Sequence, residues 1–400
     1  MSKYDAIVIG AGHNGLTNAA YLAKSGLKVL VVEKNDYIGG ASVSRVLHEG
    51  WTYSNCSYVC SLLRPEIFRD LNLQKYGLQV LPYGGSVTFM QNGDIFGGYS
   101  DEDLARREIG RFSKRDADAY VRFARDVSRQ CRFIKPMLLR TPPDPTSFKP
   151  KDLGELIYLF KRLYSLGEQT IYDTIRFYTM SVAEYLEEYF ETDVIKAALS
   201  GSGIIGTGLG PYSPGTAYVL LHHYMGEVDG SIGSWGYARG GMGAISNALA
   251  GAFQDHDGEI KKESEVSQII VKNGRAKGVV LANGDEYYAK NVVSNLDVKR
   301  TYQKLFDPKD LSEKVLKQVD AFKIRGSSGK LNIALDGMPE FPALGKNNPL
   351  IYADMHFIDS LERMERAFDD WKNGRWSRDP YTDVLIPTMT DPTMSPPGKH

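Results

Sequence analysis

The sequence predicts an α/β fold in two domains, one of which combines two separate stretches of the chain. Three patterns indicate this organisation. Residues 4–33 alternate strand, helix and strand, residues 101–200 have the apolar spacing of amphipathic helices, and residues 266–294 alternate apolar and polar residues between Asn-Gly turns. A chain of 400 residues is long enough for two or three packed units.

The first strand is predicted at Tyr4–Ile9, because the run YDAIVI is apolar and rich in β-branched residues, as in a parallel strand buried on both faces. It leads into GAGHNG, which places Gly10, Gly12 and Gly15 at the spacing G-x-G-x-x-G. The segment LTNAAYLAKSG then has small apolar residues on one helical face. A second strand, LKVLVVE, ends in Glu33. The whole is a β-α-β unit.

This unit has the features of a dinucleotide-binding site. Gly10 permits a tight turn, Gly12 lets a pyrophosphate approach the backbone, and Gly15 lets the helix pack closely on the strand. The free N–H groups and the dipole at the start of the helix favour phosphate. Glu33 stands where a carboxylate accepts hydrogen bonds from the ribose hydroxyls of an adenosine, which favours a 2′-OH over a 2′-phosphate. The alternative is a glycine-rich turn that binds nothing. It does not explain why the strands, the glycines, the helix and the acidic residue occur together.

A second G-x-G-x-x-G match, GSGIIG at residues 201–206, is interpreted as a loop without a nucleotide. It follows TDVIKAALS, which has the pattern of a helix end instead of a strand, and Pro211 and Pro214 prevent a helix directly afterwards. We therefore expect one dinucleotide fold in the chain.

The pair Gly39-Gly40 indicates which dinucleotide binds. A dehydrogenase that binds only a nicotinamide dinucleotide needs no second glycine pair so soon after its ribose acid, whereas a larger dinucleotide passes its ribityl chain along such a loop. Glu33 and this pair together predict that the cofactor is FAD.

The segment VIGAGHNGLTNAAYLAKSGLKVLVVEKNDYIGGAS resembles the N-terminal signature of FAD-dependent oxidoreductases of the two-dinucleotide-binding-motif type. Within that group, His13 and Asn14, GPYSPGTAYVLLHHYMGE at residues 210–227 and WGYARGGMGAIS at residues 235–246 are similar to the phytoene desaturase and carotenoid isomerase-like branch. The resemblance covers most of the chain. It implies a Rossmann-like FAD-binding domain, hydride transfer to the flavin, and an apolar, isoprenoid or carotenoid-like substrate. It also implies that Val266 presents its backbone to the adenine.

The resemblance and the motifs together define the expected site and domains. The residues expected to contact FAD are Gly10, Gly12, His13, Asn14, Gly15, Glu33, Gly39, Gly40 and Val266. The FAD-binding domain is expected to consist of residues 1–75 and 232–300, and a helical plus β-sheet substrate domain of residues 76–231 and 301–400. No catalytic residue is predicted, because the flavin supplies the redox chemistry.

Further strands and one helix are predicted from local patterns. Residues 77–91 predict two strands around a Gly84-Gly85 turn, and GGMGAISNALAGAF at residues 240–253 predicts a helix that opens on glycines. NVVSN at residues 291–295 would add a parallel strand to the first sheet. KLNIAL at residues 330–335 and TDVLIPTMT at residues 382–390 have the composition of strands.

Composition argues against several functions. The 48 basic and 49 acidic residues give a net charge of -1, so there is no electrostatic case for a nucleic-acid partner. The 7 histidines show no spacing typical of a zinc site, and no metal is expected. His222 and His223 are expected to be core residues, although one of them facing the flavin is the alternative.

The 3 cysteines, Cys56, Cys60 and Cys131, fit a reducing compartment. A disulfide reductase of the glutathione reductase type has four residues between its cysteines, directly after the paired glycines. Cys56 and Cys60 have three residues between them and come later, so we expect small buried side chains instead of a redox pair.

The opening MSKYDAIVIG leaves no room for a secretory leader, and no apolar run reaches the roughly 18 residues of a membrane span, so a cytoplasmic protein is expected. The segment LGELIYLFKRLYSLGEQ places Leu153, Ile157 and Phe160 on one helical face. We expect this face to pack on its own domain; peripheral contact with a membrane is the alternative.

Two other functions remain open. An amine-oxidase-like enzyme on this scaffold would need an aromatic cage and an acidic pocket mouth. A flavin-binding interaction protein would have a closed pocket.

The family that the chain resembles closes its FAD domain with a late glycine-rich segment of the type P-G-G-G-V-x-G. No such segment follows Val293. The chain is therefore expected to be a fragment of a longer protein, with its substrate domain incomplete at the C-terminus.

Overall fold

The computed structural model describes residues 3–165 and 167–400. Within them the strands are β1 Tyr4–Ile9, β2 Val29–Val32, β3 Ser44–His48, β4 Trp51–Ser54, β5 Val80–Pro82, β6 Ser86–Phe89, β7 Ile95–Gly98, β8 Glu227–Val228, β9 Ser231–Ile232, β10 Gly236–Ala238, β11 Glu259–Lys261, β12 Val266–Lys272, β13 Arg275–Leu281, β14 Glu286–Ser294, β15 Asp354–His356 and β16 Asp383–Val384. The helices are α1 His13–Lys24, α2 Pro65–Asp70, α3 Glu102–Phe112, α4 Lys114–Ile134, α5 Pro150–Tyr164, α6 Glu168–Thr179, α7 Val182–Glu187, α8 Asp193–Ile204, α9 Thr216–Tyr224, α10 Gly243–Gln254, α11 Glu313–Ala321 and α12 Leu361–Lys372.

The largest sheet of the described residues has six strands in the order β11-β2-β1-β14-β13-β12. The four strands from β11 to β14 are parallel, and Val8 of β1 lies between Val31 of β2 and Val293 of β14. All four residues of β2 are buried. The apolar runs thus form the interior of a parallel sheet covered on both faces, as the sequence predicts.

Helices α1 and α10 pack together on one face of this sheet. The α1 residues Leu16, Ala19, Ala20 and Ala23 are buried in a cluster that also contains Leu249 of α10. Small side chains let the two helices approach the strands closely. The predicted apolar face of α1 and the predicted glycine-opened helix at residues 240–253 are both confirmed.

The other half of the sheet is an antiparallel meander. Strands β12, β13 and β14 pair in succession, and Asn273 and Gly274 form the first turn with φ of 51° and 70°. Left-handed conformations at both positions are what an Asn-Gly hairpin turn requires. The predicted meander is confirmed, and its last strand returns the chain to β1.

Residues 102–164 and 168–224 are mostly helical, from α3 to α9, and a second sheet has the order β16-β15-β6-β7. Helices α3, α4 and α6 to α9 share an apolar core that contains Phe123, Val127, Leu186 and Leu220. The helical prediction for residues 101–200 is confirmed. No helix among the described residues combines the length and apolar character needed to cross a membrane.

The loop predicted for GSGIIG is wrong, because Gly201–Ile204 form the last turn of α8. Helix α8 ends at Ile204, before Pro211 and Pro214 in the chain, so the prolines do not prevent its last turn. A Cβ atom at Gly203 would lie 2.8 Å from the Val182 side chain, so this glycine lets two helices approach each other.

Three further strand predictions need correction. The strands around Gly84-Gly85 exist, but β5 pairs with β10 and β6 pairs with β7 and β15, so they do not pair with each other. Residues 330–335 form no strand: Leu331 is 80% exposed, and only Leu335 exchanges backbone hydrogen bonds, with His400. In TDVLIPTMT, only Asp383–Val384 pair, because Pro387 begins a 3₁₀ turn.

Helix α5 is where the sequence predicts it, but its apolar face is not buried. Leu163 packs against the helical core, whereas Leu153, Ile157 and Phe160 are 40%, 55% and 68% exposed. The expected packing of this face on its own domain is therefore wrong.

Candidate cofactor site

The turn after β1 has the backbone geometry that its glycines suggest. Gly10 has a φ of 96°, and a Cβ atom at Gly15 would overlap the carbonyl oxygen of Gly10. Helix α1 starts after Gly12, which provides no side-chain cap, and its first turn contains no acidic residue. The first N–H groups of α1 are thus left for an anion.

The second glycine pair lies against this turn. The Gly39 N–H donates to the Ala11 carbonyl oxygen at 2.9 Å, and a Cβ atom at Gly40 would lie 3.1 Å from the Cα atom of Gly12. Gly39 and Gly40 have φ of 120° and 57°, which strongly favours glycine. We call residues 10–12 and 39–40 together the glycine cradle.

Glu33 directly follows β2 and is 8% exposed. Its Oε2 accepts a hydrogen bond from the Ala11 N–H at 2.9 Å, and its Oε1 accepts from the Asn35 N–H at 3.0 Å and from the Asn35 Nδ2 at 2.8 Å. The carboxylate is therefore fixed beside the glycine cradle. Asn35, which orients it, was not identified from the sequence.

Asn295 is a second residue that the sequence analysis missed. It follows β14, its N–H donates to the Ile9 carbonyl oxygen at 2.9 Å, and its Nδ2 lies 3.0 Å from where a Cβ atom at Gly12 or Gly15 would be. A side chain at either glycine would thus meet Asn295. Its position at the carboxyl end of the strand next to β1, where ligands of parallel sheets bind, is the signal that could have identified it.

His13 and Asn14 open α1. The His13 ring is largely buried, its Nδ1 has no hydrogen-bond partner, and burial lowers the pKa of His13, so the ring is neutral near pH 7. Asn14 is exposed. An unpartnered buried ring nitrogen at an uncapped helix start is consistent with a polar group that binds there.

Two clefts extend along the site. One of about 550 Å³ is lined by residues 34–36, 263–265 and 281–283, next to Glu33 and to Val266, which begins β12. The Ser264 N–H donates to the Glu33 carbonyl oxygen at 2.7 Å, so the structure brings these two segments together. The other cleft, of about 400 Å³, lies between residues 36–44 and α10.

The remaining candidates lie apart from the cradle. The His223 Nδ1 is 2.9 Å from the Val219 carbonyl oxygen, so His223 is a core residue with a hydrogen-bond partner, as expected.

The described cysteines are all free. Cys60 and Cys131 are buried, but Cys56 is exposed, which corrects the expectation for Cys56.

Comparison with known proteins identifies the family. The model of the family described as flavin containing amine oxidoreductase matches residues 15–399. The chain belongs to this family. It is accordingly an oxidoreductase whose cofactor is FAD, as the sequence predicts.

Relatives of this member of the family support the predicted branch. Pyridine nucleotide-disulfide oxidoreductase domain-containing protein 2 of Mus musculus is 34% identical over 100% of this chain and 72% of its own length. A prolycopene isomerase of Daucus carota is 29% identical over 100% and 60%. A neurosporene-forming phytoene desaturase of Rhodobacter capsulatus is 27% identical over 98% and 70%.

Solved structures show the fold of the chain. An oxidoreductase from Methanosarcina mazei superimposes with a TM-score of 0.58 at 16% identity, covering 99% of this chain and 77% of the other. A Rab GDI from Plasmodium falciparum does so with 0.55 at 12% identity, covering 100% and 81%. Because these identities are low, the likeness concerns the fold and not the function.

Proposed function

We propose that the chain desaturates, dehydrogenates or isomerises an apolar, isoprenoid or carotenoid-like substrate at an FAD bound along the glycine cradle. The observation that carries this proposal is that relatives named as a prolycopene isomerase and a phytoene desaturase match nearly the full length of the chain. Bound FAD supplies the hydride acceptor, and the protein supplies position, shape and exclusion of water.

The geometry of the glycine cradle supports proposed positions for three parts of FAD. The pyrophosphate would lie against Gly10, Gly12 and Gly15 at the start of α1, where free N–H groups face an anion. Glu33 would accept hydrogen bonds from the adenosine ribose. Gly39 and Gly40 would leave room for the ribityl chain. A Cβ atom at Gly40 would lie 3.1 Å from the Gly12 Cα atom, and one at Gly39 would overlap the Ser42 carbonyl oxygen.

His13, Asn14 and Val266 complete the proposed set of contacts. The unpartnered Nδ1 of His13 supports a polar contact at the start of α1. The backbone of Val266 would contact the adenine at the end of the larger cleft, which is lined on one side by Glu265 and on the other by Asn35.

We also propose the domain division given by the sequence, with FAD bound by residues 1–75 and 232–300. It is supported by the six-stranded sheet, which takes two strands from residues 4–32 and four from residues 259–294. Residues 76–231 and 301–400 would then provide the substrate domain.

The test is anaerobic mixing of the FAD-loaded protein with two classes of compound, carotenoid precursors dispersed in detergent and primary amines. We expect the precursors to bleach the flavin absorbance or to emerge as a different double-bond isomer on chromatography, and we expect amines to do neither. The same protein without FAD is the control for oxidation by air or light.

The result decides between the three functions. Bleaching by amines alone would replace the proposal with an amine oxidase, in line with the family's description. A flavin that responds to neither class, together with unchanged isomers, would instead favour an interaction protein.

A further inference from the structure

One face of the sheet β16-β15-β6-β7 carries a buried row of polar side chains. Asp354 and His356 are two residues apart in β15, so both project from the same face. The strand register places Asp383 of β16 beside His356 and Thr88 of β6 on its other side. Met355, between the two, projects from the opposite face into an apolar cluster. We call Asp354, His356 and Asp383 the acid–histidine cluster.

The cluster has the dimensions of a metal site. The His356 Nε2 lies 3.3 Å from Asp354 Oδ2 and 3.5 Å from Asp383 Oδ1. One ligand atom from each residue lies within 4.8 Å of the other two. A tetrahedral zinc ion with bonds of about 2.0–2.2 Å holds its ligand atoms roughly 3.3–3.5 Å apart. The two distances from the histidine nitrogen therefore fit ligands that share one ion, and the two carboxylate oxygens lie within 4.8 Å of each other.

The cluster is buried and incompletely satisfied. His356 is 7% exposed, and the side chains of Asp354 and Asp383 are 16% and 15% exposed. The polar atoms without a hydrogen-bond partner include His356 Nδ1, Asp354 Oδ1, Asp383 Oδ1 and the hydroxyl groups of Thr88 and Tyr381. Buried polar atoms nearly always have a partner, so this concentration favours a bound group at the cluster. The His356 Nε2, which faces both carboxylates, is the nitrogen available to such a group.

The surroundings add no positive charge beyond the histidine. In the part of the chain that the structure describes, neither carboxylate forms an ion pair with a lysine or arginine. The neighbours are aromatic: the Tyr381 ring lies 5.6 Å from that of His356. Two carboxylates in such surroundings repel each other unless a cation lies between them, and a divalent ion supplies twice the charge of a protonated His356.

We propose that Asp354, His356 and Asp383 bind one divalent transition-metal ion, with Zn²⁺ as its representative. The imidazole nitrogen favours such an ion over Mg²⁺ or Ca²⁺, and the two carboxylates disfavour Cu⁺. Three protein ligands leave a fourth position for water or a substrate oxygen, which is the ligand number of catalytic zinc sites.

The test measures zinc in the FAD-loaded protein. The protein is stripped with a chelator, equilibrated with ZnCl₂, dialysed, and analysed by mass spectrometry of the metal. We expect about one zinc ion per chain, and about a hundredfold weaker binding in His356→Gln and Asp383→Asn. His256→Gln removes an exposed histidine and is the matched control, which should bind zinc as the unmodified chain does.

Two further measurements keep the test decisive if a variant does not fold. Zn²⁺ should raise the melting temperature of the unmodified protein more than Mg²⁺ does, because a ligand that binds only the native state stabilises it. Anomalous scattering at the zinc edge from crystals of the unmodified protein should place the ion between the three side chains. An ion found elsewhere, no zinc retained, or equal zinc in His356→Gln and the unmodified chain would overturn the proposal.

Discussion

Glu33 is a single carboxylate with two tasks, since it orders the turn through Ala11 and is proposed to bind the ribose. We expect Glu33→Arg to weaken FAD binding by between several-fold and about a hundredfold, because hydrogen bonds to a charged group contribute roughly 1.5–3 kcal/mol. Titration of the apoprotein with FAD, followed by flavin fluorescence, measures the change.

Glu49→Arg, in the exposed turn between β3 and β4, is the control for the change in net charge. A thermal melt by circular dichroism shows whether each variant is folded. If folded Glu33→Arg binds FAD as tightly as the control, Glu33 does not hold the ribose.

The cysteines differ in their surroundings and should differ in reactivity. Burial raises the pKa of the Cys60 thiol to about 11 and that of the Cys131 thiol to about 12. Since the thiolate is the reactive form, roughly 0.1% of Cys60 is ionised at pH 8. Iodoacetamide should therefore label Cys56 in the native protein and the other two only after denaturation, as read by peptide mass spectrometry. Equal native labelling of all three would contradict the burial.

For single residues, the sequence predicts those whose type belongs to a local motif, such as Gly10 or Glu33. It does not predict Asn295, which lies far along the chain and reaches the first turn only because β14 pairs with β1. Asp354, His356 and Asp383 were missed for the same reason. Their spacing matches no linear metal motif, and only the pairing of β15 with β16 brings Asp383 to His356.

Among the structural elements, the contact between the two glycine segments can be tested by a pair of variants. Gly40→Ala places a Cβ atom 3.1 Å from the Gly12 Cα atom in a left-handed conformation, whereas Gly26→Ala has a similar conformation with nothing within 4 Å. Both should lose about 1 kcal/mol of stability through strain. Only Gly40→Ala should also weaken FAD binding, because it separates the cradle.

Urea unfolding and FAD titration of both variants provide the two measurements. Equal FAD affinity in Gly26→Ala and Gly40→Ala would mean that the close approach of the glycine segments has no part in binding.

Helices α10 and α5 allow the same substitution in opposite surroundings. Leu249 is fully buried, and Leu153 is 40% exposed. Leu249→Ala should reduce the free energy of unfolding by about 2–5 kcal/mol, since it leaves a cavity, and Leu153→Ala by less than about 0.5 kcal/mol. Urea denaturation monitored by circular dichroism compares them. A large loss in Leu153→Ala would show that the apolar face of α5 is covered in solution.

Elements with a strong local signal were predicted well, and elements that depend on a distant partner were not. The motif GAGHNG follows a strand and opens a helix, whereas GSGIIG lies at the end of a helix. The surrounding secondary structure, and not the motif alone, therefore indicates a dinucleotide site. The segment KLNIAL has the composition of a strand but has almost no neighbour with which to pair. Composition cannot supply that partner.

For the whole molecule, the number of dinucleotide units limits which reductant can act. Within the described residues, the glycine-turn β-α-β arrangement occurs once, at residues 4–33, because the second glycine motif is part of α8. We therefore expect no stable NAD(P)H site. Stopped-flow mixing of the FAD-loaded protein with NADPH should give only slow reduction of the flavin. Rapid, stoichiometric reduction would contradict this expectation.

The order of the large sheet was largely predictable, because buried parallel strands and Asn-Gly turns have clear patterns. The arrangement of the second sheet relative to the helices could not be predicted from the sequence. Strand β15 is three residues long and is inserted between β6 and β16. So short a strand has no periodicity to detect, and its place depends on packing of the complete chain.

The sheet order also has a consequence for biosynthesis. Strand β1 ends at Ile9, but its neighbour β14 ends at Ser294. Ribosomes add about 5–20 residues per second, so roughly 15–60 s of translation separate the two strands. During that interval one edge of β1 carries unpaired backbone groups beside apolar side chains, which invites association with other nascent chains. The yield of folded protein should therefore depend on the chaperones present at the ribosome.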